Sequence, residues 1–319
     1  MPRTPPDLAP ADPPTQQTIR ETTKRIRPFI RRTPTVEVSD PATAGASTVL
    51  KLESLQHAGS FKTRGAFSNL THRRVPAGGV VAASGGNHGA AVAYAAKQFG
   101  IPATIFVPSI SSPAKLARIR AYGADLVVTG STYAEALAAS ESWAADRDVL
   151  AIHAFDQFET IVGQGTLAEE LEEQLPGLDI VLAAVGGGGL LAGIAAWFGR
   201  RARIVGVEPE RAPTLTRALE AGHPVDAEGG GIAADSLAPK RVGERVFEVL
   251  RPVIDSTVLV TDDDIIAAQR FLWEKLRVVA EPGGATAFAA VLSGAFVPTS
   301  GACVAVVVSG GNTTAVQFG

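Results

Sequence analysis

Ile180-Val181-Leu182-Ala183-Ala184-Val185 runs directly into Gly186-Gly187-Gly188-Gly189-Leu190, and an apolar stretch continues to Phe198. Six apolar residues without a charge suit a strand buried on both faces. Leu190–Phe198 has the composition of a helix. A strand, a glycine turn and a helix in that order make the first half of a parallel βαβ unit. The same grammar recurs along the chain. Val80–Ala83, Thr104–Val107, Leu126–Val128, Ile204–Val207, Val258–Val260 and Val304–Val308 read as further buried strands, with an early one at Thr48–Glu53. Helical patterns at His88–Gln98, Ala114–Tyr122, Tyr133–Ala145, Gln164–Gln174 and Ile265–Leu276 alternate with them. Thr261 followed by Asp262, Asp263 and Asp264 predicts an N-cap with acids at the positive end of the helix dipole. The alternation predicts an α/β fold with parallel sheets.

A parallel sheet collects its ligands at the carboxyl ends of its strands. Three small-residue loops fall there. Val80–Ala83 ends in Ser84-Gly85-Gly86-Asn87-His88, Ile180–Val185 in the four glycines, and Val304–Val308 in Ser309-Gly310-Gly311-Asn312. Three such loops point to one shared site. The glycines let successive backbone amides converge on an anion, and the helix start adds a favourable dipole. The same loop is also compatible with a plain strand-to-helix turn. It lacks a clean G-x-G-x-x-G, which weakens a dinucleotide reading. Asn87 offers a donor and an acceptor, or a cap. Lys62, in Ser60-Phe61-Lys62-Thr63-Arg64-Gly65, is a solvated surface group unless burial or a nearby cation lowers its pKa. Phe61 and Phe67 are expected to supply apolar surroundings, and Arg64 the charge.

The remaining features have simpler readings. The 319 residues are 46% hydrophobic and carry a net charge of −3, enough for a large core in one or two domains. Basic residues number 29 against 32 acidic ones with no basic block, so no nucleic-acid partner is expected. Cys303 is alone, which excludes a disulfide within the chain; it reads as a small buried hydrophobe. No apolar run reaches membrane-spanning length, and Met1–Thr15 has no apolar h-region, so a cytoplasmic protein without a membrane partner is expected. The first 14 residues, with six prolines, read as a mobile tail. The histidines show no metal spacing. Glu169, Glu170, Glu172 and Glu173 read as a solvated helix face.

Six motifs occur in a fixed order: Ser60–Gly65, Ser84–Gly89, Gly163-Gln164-Gly165-Thr166, Gly186–Leu190, Glu281-Pro282-Gly283-Gly284-Ala285 and Ser309–Asn312. In that order they resemble the tryptophan-synthase-β type of pyridoxal 5′-phosphate (PLP) enzymes, fold type II. Within that type they resemble the serine/threonine dehydratase and serine racemase family. The likeness covers roughly residues 20–315.

The resemblance implies a role for each matching residue. Lys62 corresponds to the lysine that carries PLP as a Schiff base, and Phe61 to the aromatic beside the pyridine ring. Asn87 corresponds to the partner of the 3′-oxygen, Gly186, Gly187, Gly188, Gly189 and Leu190 to the phosphate loop, and Ser309 to the partner of the pyridine nitrogen. Glu281 is assigned to the cofactor site. Ser84, Gly85, Gly86, Asn87 and His88 correspond to the loop that clasps the substrate carboxylate, and Ser84 joins Lys62 as a catalytic residue. A hydroxyl opposite the pyridine nitrogen makes the ring a mild electron sink, which suits β-elimination. The implied reaction converts a 3-hydroxy amino acid such as L-threonine or L-serine to a 2-oxo acid and ammonia.

Departures from the family pattern refine this. Racemases carry a serine where this chain has Gly85, so racemisation is disfavoured. Phe155-Asp156 resembles the dehydratases, whereas Gln157-Phe158-Glu159 matches neither group. Glu208 and Ala212 match a family metal site, but Thr214 stands where an acid is expected, so no metal or a weakly held one is expected. The expected architecture is two parallel-sheet α/β domains with the cofactor between them: residues 1–70 with 156–319 as the large domain, and 71–155 as a small inserted domain carrying the Asn loop. A homodimer is expected. The alternatives are a serine racemase, another β-elimination or β-replacement enzyme on this fold, and, from other classes, a nucleotide-binding oxidoreductase or a non-catalytic binding protein.

Overall fold

The computed structural model describes residues 13–39, 47–111 and 113–314. Residues 1–12 of the expected tail lie outside them. Among the described residues, ten strands form two sheets. In chain order the strands are β1 (Thr35–Val38), β2 (Ser47–Leu52), β3 (Val80–Ala83), β4 (Ala103–Val107), β5 (Asp125–Val128), β6 (Leu150–Ala151), β7 (Ile180–Ala184), β8 (Arg203–Pro209), β9 (Ile254–Val260) and β10 (Cys303–Val308). The larger sheet has the order β1-β2-β10-β7-β8-β9, and the smaller β5-β4-β3-β6. All neighbours are parallel except the edge pair β1–β2.

The α-helices among the described residues are α1 (Gln16–Ile26), α2 (Lys62–His72), α3 (Asn87–Phe99), α4 (Pro113–Ala121), α5 (Tyr133–Ala145), α6 (Phe158–Gln174), α7 (Gly189–Phe198), α8 (Thr214–Ala221), α9 (Glu244–Leu250), α10 (Asp262–Leu276) and α11 (Pro282–Leu292). The unbroken apolar strands have the cause expected of them. Val181, Ala183 and Val185 face one core, which includes Leu167 of α6 and Leu191 of α7. Ile180, Leu182 and Ala184 face the other, with Leu272 of α10 and Phe288 of α11. Both faces are covered, so alternate residues are all apolar.

The smaller sheet packs Val80, Ala82, Ile105 and Val107 against Ala91 and Ala95 of α3, and this core also takes in Ile26, Ala66, Phe67 and Leu70 from earlier in the chain. Thr261 caps α10, with its side chain and that of Asp264 forming a reciprocal capping box.

Several elements exceed the sequence reading. Helix α6 begins at Phe158 rather than Gln164, because its glycines mark close packing instead of a break. A Cβ on Gly163 would meet Ser68 Cβ at 2.6 Å and Gly65 Cα at 2.7 Å, so α2 and α6 touch backbone to backbone. Helix α11 was hidden by Gly283 and Gly284 behind Pro282, a residue suited to a first helical turn. Strands β1 and β6, and helices α1, α8 and α9, were also missing from the sequence reading, although α1 buries Ile19, Thr22 and Ile26 along one face. Cys303 begins β10 half-buried, not in the core.

Candidate active site

The strand order explains how distant loops meet. Strand β10 lies between β2 and β7, so Ser309 emerges beside both the segment leading to Lys62 and the glycine loop after β7. The opposite wall comes from the small sheet, where β3 delivers Ser84–His88 and the chain leaving β6 delivers Ala154 and Phe155. Between the walls is a cleft with about 780 Å³ of empty space, its open mouth included. Phe61, Lys62, Ser84, Gly86, Asn87, His88, Gly186–Leu190, Glu281 and Ser309 all line it.

Lys62 is the first residue of α2. The turn before it is pinned to the end of β10: the Phe61 amide donates to Ser309 O at 3.1 Å, and Ser60 bridges Gly310. Lys62 Nζ donates to Ala154 O at 2.7 Å and lies 5.0 Å from the Phe61 ring centroid. Burial pushes its pKa down to about 8. Arg64 and Phe67 take no part, contrary to expectation. Phe67 packs with Phe29, Tyr94 and Phe99.

Arg64 turns the other way, into a buried ion network. Its Nε donates to Glu53 Oε2 at 2.9 Å, and its Nη2 to Glu53 Oε1 at 2.7 Å and Glu170 Oε2 at 3.2 Å. Lys51 Nζ reaches Glu170 Oε1 at 2.5 Å from the far side. Glu170 is thus a buried counter-ion rather than part of a solvated face.

The glycine loop sorts its polar groups by direction. Gly186 O accepts from Thr214 Oγ1 at 2.7 Å, Gly187 O from the Gly243 amide at 3.3 Å, and Gly188 O from the Ala192 amide at 2.9 Å. The protein thereby takes up the carbonyls, while the amides at the start of α7 have no acceptor within the helix. Gly188 has φ +84°, which only glycine adopts without strain, and a Cβ on Gly187 would strike the Phe155 ring. The donor set is that of an anion cradle facing an amine.

In the Asn loop, Ser84 Oγ accepts from the Gly86 amide at 3.1 Å. Gly85 does not line the cleft. A Cβ there would run into Ser111, so a side chain at this position would point behind the loop. The absence of a side chain at Gly85 is therefore not what shapes the cleft face. Asn87 Nδ2 donates to Glu281 Oε1, and its Oδ1 accepts from Asn312 Nδ2 at 2.6 Å. The amide keeps a second hydrogen. His88 Nε2 donates to Ile152 O at 3.0 Å. Burial, with the Lys62 charge next, pushes its pKa down to about 3, so the ring is neutral and anchors the loop.

Ser309 Oγ donates to Gly283 O at 3.3 Å, and Ser236 Oγ accepts from the Gly283 amide at 3.1 Å. Asp235 pairs with Lys115 of α4.

Glu281 is 3% exposed, and burial pushes its pKa up to about 7 from 4.5. The folded form then holds a proton that the unfolded form has lost between about pH 4.5 and 7. Stability from this group is full below that window and declines as pH rises through it. Glu281→Gln, which keeps the acceptor for Asn87, is expected to flatten that decline in the cofactor-free protein. It should raise stability at pH 8 by up to about 3 kcal/mol. Urea unfolding at pH 5 and pH 8 measures this; a parallel decline in both proteins would mean that Glu281 titrates normally.

Glu208 does not present a free carboxylate for a metal. It accepts from the Leu215 amide at 2.7 Å, the Thr216 amide at 2.9 Å and Thr216 Oγ1 at 2.7 Å, and lies 3.0 Å from Thr214 Oγ1. It closes the start of α8, with Ala212 buried beside it.

Sequence reasoning missed Tyr133 and the segment Asp235–Pro239, which also line the cleft. Neither has a motif or follows a recognised glycine loop. Gln157, Phe158 and Glu159 do not line it; Gln157 Oε1 accepts from the His153 amide at 2.8 Å.

A buried lysine and an anion cradle in one cleft between two mostly parallel sheets fit the site of a fold type II PLP enzyme. Comparison with known proteins agrees. The chain belongs to the family described as pyridoxal-phosphate dependent enzymes, matched over residues 26–310. It is 37% identical over 302 residues to a phenylserine dehydratase of Ralstonia pickettii, covering 92% of each chain. It is 36% identical over 304 residues to an L-threonine ammonia-lyase of Thermotoga maritima, covering 93% of this chain and 75% of that one. The structure of maize serine racemase superposes with a TM-score of 0.89 at 33% identity, covering 95% of each chain. The protein is a PLP enzyme with relatives in amino-acid metabolism. The family match displaces the oxidoreductase and the non-catalytic binding protein as readings. Among the described residues, no helix is long and apolar enough to cross a membrane.

Proposed function

We propose that this chain converts a 3-hydroxy amino acid, such as L-threonine or L-serine, to a 2-oxo acid and ammonia by β-elimination. The observation that carries this reading is the asymmetry of the cleft. Lys62 offers one amine with a pKa near neutrality, while the Ser84 hydroxyl on the Asn loop accepts a hydrogen bond from the Gly86 amide. One proton-accepting face favours elimination over inversion at Cα. The names of the dehydratase and ammonia-lyase relatives support it.

Bound PLP supplies the electron sink that acidifies the Cα proton. Lys62 would hold the cofactor, and its amine would accept that proton. The amides of Gly186–Leu190 would hold the phosphate, Ser309 would serve the pyridine nitrogen, Phe61 the ring, and Asn87, with its second amide hydrogen, the 3′-oxygen. The Ser84–His88 loop, at the positive end of α3, holds the substrate carboxylate. Glu281 keeps Asn87 in place. Residues 71–155 form the small domain that closes on the substrate and excludes water.

We also propose a cytoplasmic homodimer. The ring cluster His57–Tyr94–Tyr122 continues through Phe67 to Phe99, which is 38% exposed and would suit such a contact.

The test is product analysis of the purified holoenzyme with L-serine, L-threonine and phenylserine. Equal amounts of 2-oxo acid and ammonia are expected from at least one of them. D-serine formed from L-serine as fast as pyruvate would establish a racemase instead.

A further inference from the structure

Helix α5 begins with Tyr133 at the carboxyl end of β5, the outer strand of the small sheet. Two strand spacings, roughly 10 Å, separate β5 from β3 and its Asn loop. Tyr133 lines the cleft, and β5 lies on the far side of β3 from β6, whose outgoing chain bonds Lys62. Its hydroxyl is buried and has no hydrogen-bond partner. Every other polar side chain lining the cleft has a protein partner. A buried donor left unpaired is costly, so such a group in a binding cleft marks a missing ligand atom. Burial, with Glu141 next, pushes the phenol up to about 12, so it remains a donor at neutral pH.

A 3-hydroxy amino acid has three polar groups. On the functional reading above, on which this inference rests, the amine goes to the Lys62 side and the carboxylate to the Asn loop. We propose that the Tyr133 hydroxyl donates a hydrogen bond to the oxygen on the substrate's Cβ, making Tyr133 the residue that selects substrates by that oxygen.

The experiment compares Tyr133→Phe with the parent holoenzyme on L-serine, L-threonine and β-chloro-L-alanine. The last loses chloride instead of water and has no oxygen on Cβ. The expected result is about a tenfold fall in kcat/KM for the two hydroxy substrates. The value for β-chloro-L-alanine should change less than twofold, and Tm should not fall, because the hydroxyl removed had no partner within the protein. Equal losses on all three substrates, or no loss on any, overturns the proposal. A parent enzyme that eliminates from none of them overturns the functional reading and this inference with it, which is distinguishable from a normal parent with an unselective variant.

Discussion

Lys62→Ala is expected to lose all borohydride-reducible cofactor and at least about 10⁴-fold in turnover, while the fold survives. The amine is both the proposed anchor of the cofactor and the proposed base, so one substitution removes two functions. The fold should survive because alanine suits the first turn of α2 and the carbonyl of Ala154 loses only one donor. A stability signature accompanies the loss. In the parent, burial holds the Lys62 pKa at about 8 against 10.5 when unfolded. Between those values the unfolded chain binds more protons, so stability of the cofactor-free protein rises with pH across the window. Below pH 8 the buried ammonium costs up to about 3 kcal/mol. Cofactor-free Lys62→Ala should therefore be more stable than the cofactor-free parent at pH 7, and the rise between pH 8 and 10.5 should disappear. Urea unfolding at pH 7 and pH 10 measures it. Cofactor reduced by borohydride onto the variant would place the attachment on another residue.

Arg64→Ala is expected to cost about 3–5 kcal/mol in stability, the range for removing one member of a buried ion network. Arg64 is fully buried and holds Glu53 through two hydrogen bonds, with Glu170 as a further partner. Its loss leaves Glu53, also fully buried, without a counter-charge in contact. Glu170 keeps Lys51, so Glu53 carries most of the penalty. Arg64→Lys should recover only part of it, because an ammonium cannot reproduce the two-pronged contact with Glu53. The network also secures the first turn of α2, so cofactor affinity should weaken along with stability. Denaturant midpoints of the two variants decide the matter. A loss below about 1 kcal/mol for Arg64→Ala would mean that water or a rearranged carboxylate replaces the guanidinium.

The two-sided burial of β7 and β10 was legible in the sequence, because a strand covered on both faces must be apolar at every position. So was the meeting of the four glycines with Ser309, since parallel strands deliver their following loops to one edge of a sheet, whereas Lys62, and Asn87 on the other sheet, joined them through the order of the six motifs and the family that order resembles. The glycine loop was readable for the same local reason: Gly188 needs a positive φ and Gly187 leaves no room for a side chain against Phe155.

What only the tertiary structure decided are the directions of side chains and their partners far along the chain. Arg64 follows Lys62 by two residues, yet the turn of α2 sends it to Glu53 and Glu170 rather than to the lysine. Gly85 sits inside the Asn loop but would aim its side chain at Ser111. Asn87 meets Glu281 across 194 residues. Tyr133 joins the cleft because β5 lies at one edge of the small sheet, an order no local pattern encodes. Periodicity and glycine placement report local backbone geometry and burial, whereas a hydrogen bond or an ion pair depends on how separate elements are rotated and packed against one another. That packing is what fixes the pKa of Lys62 and leaves one hydroxyl in the cleft without a partner.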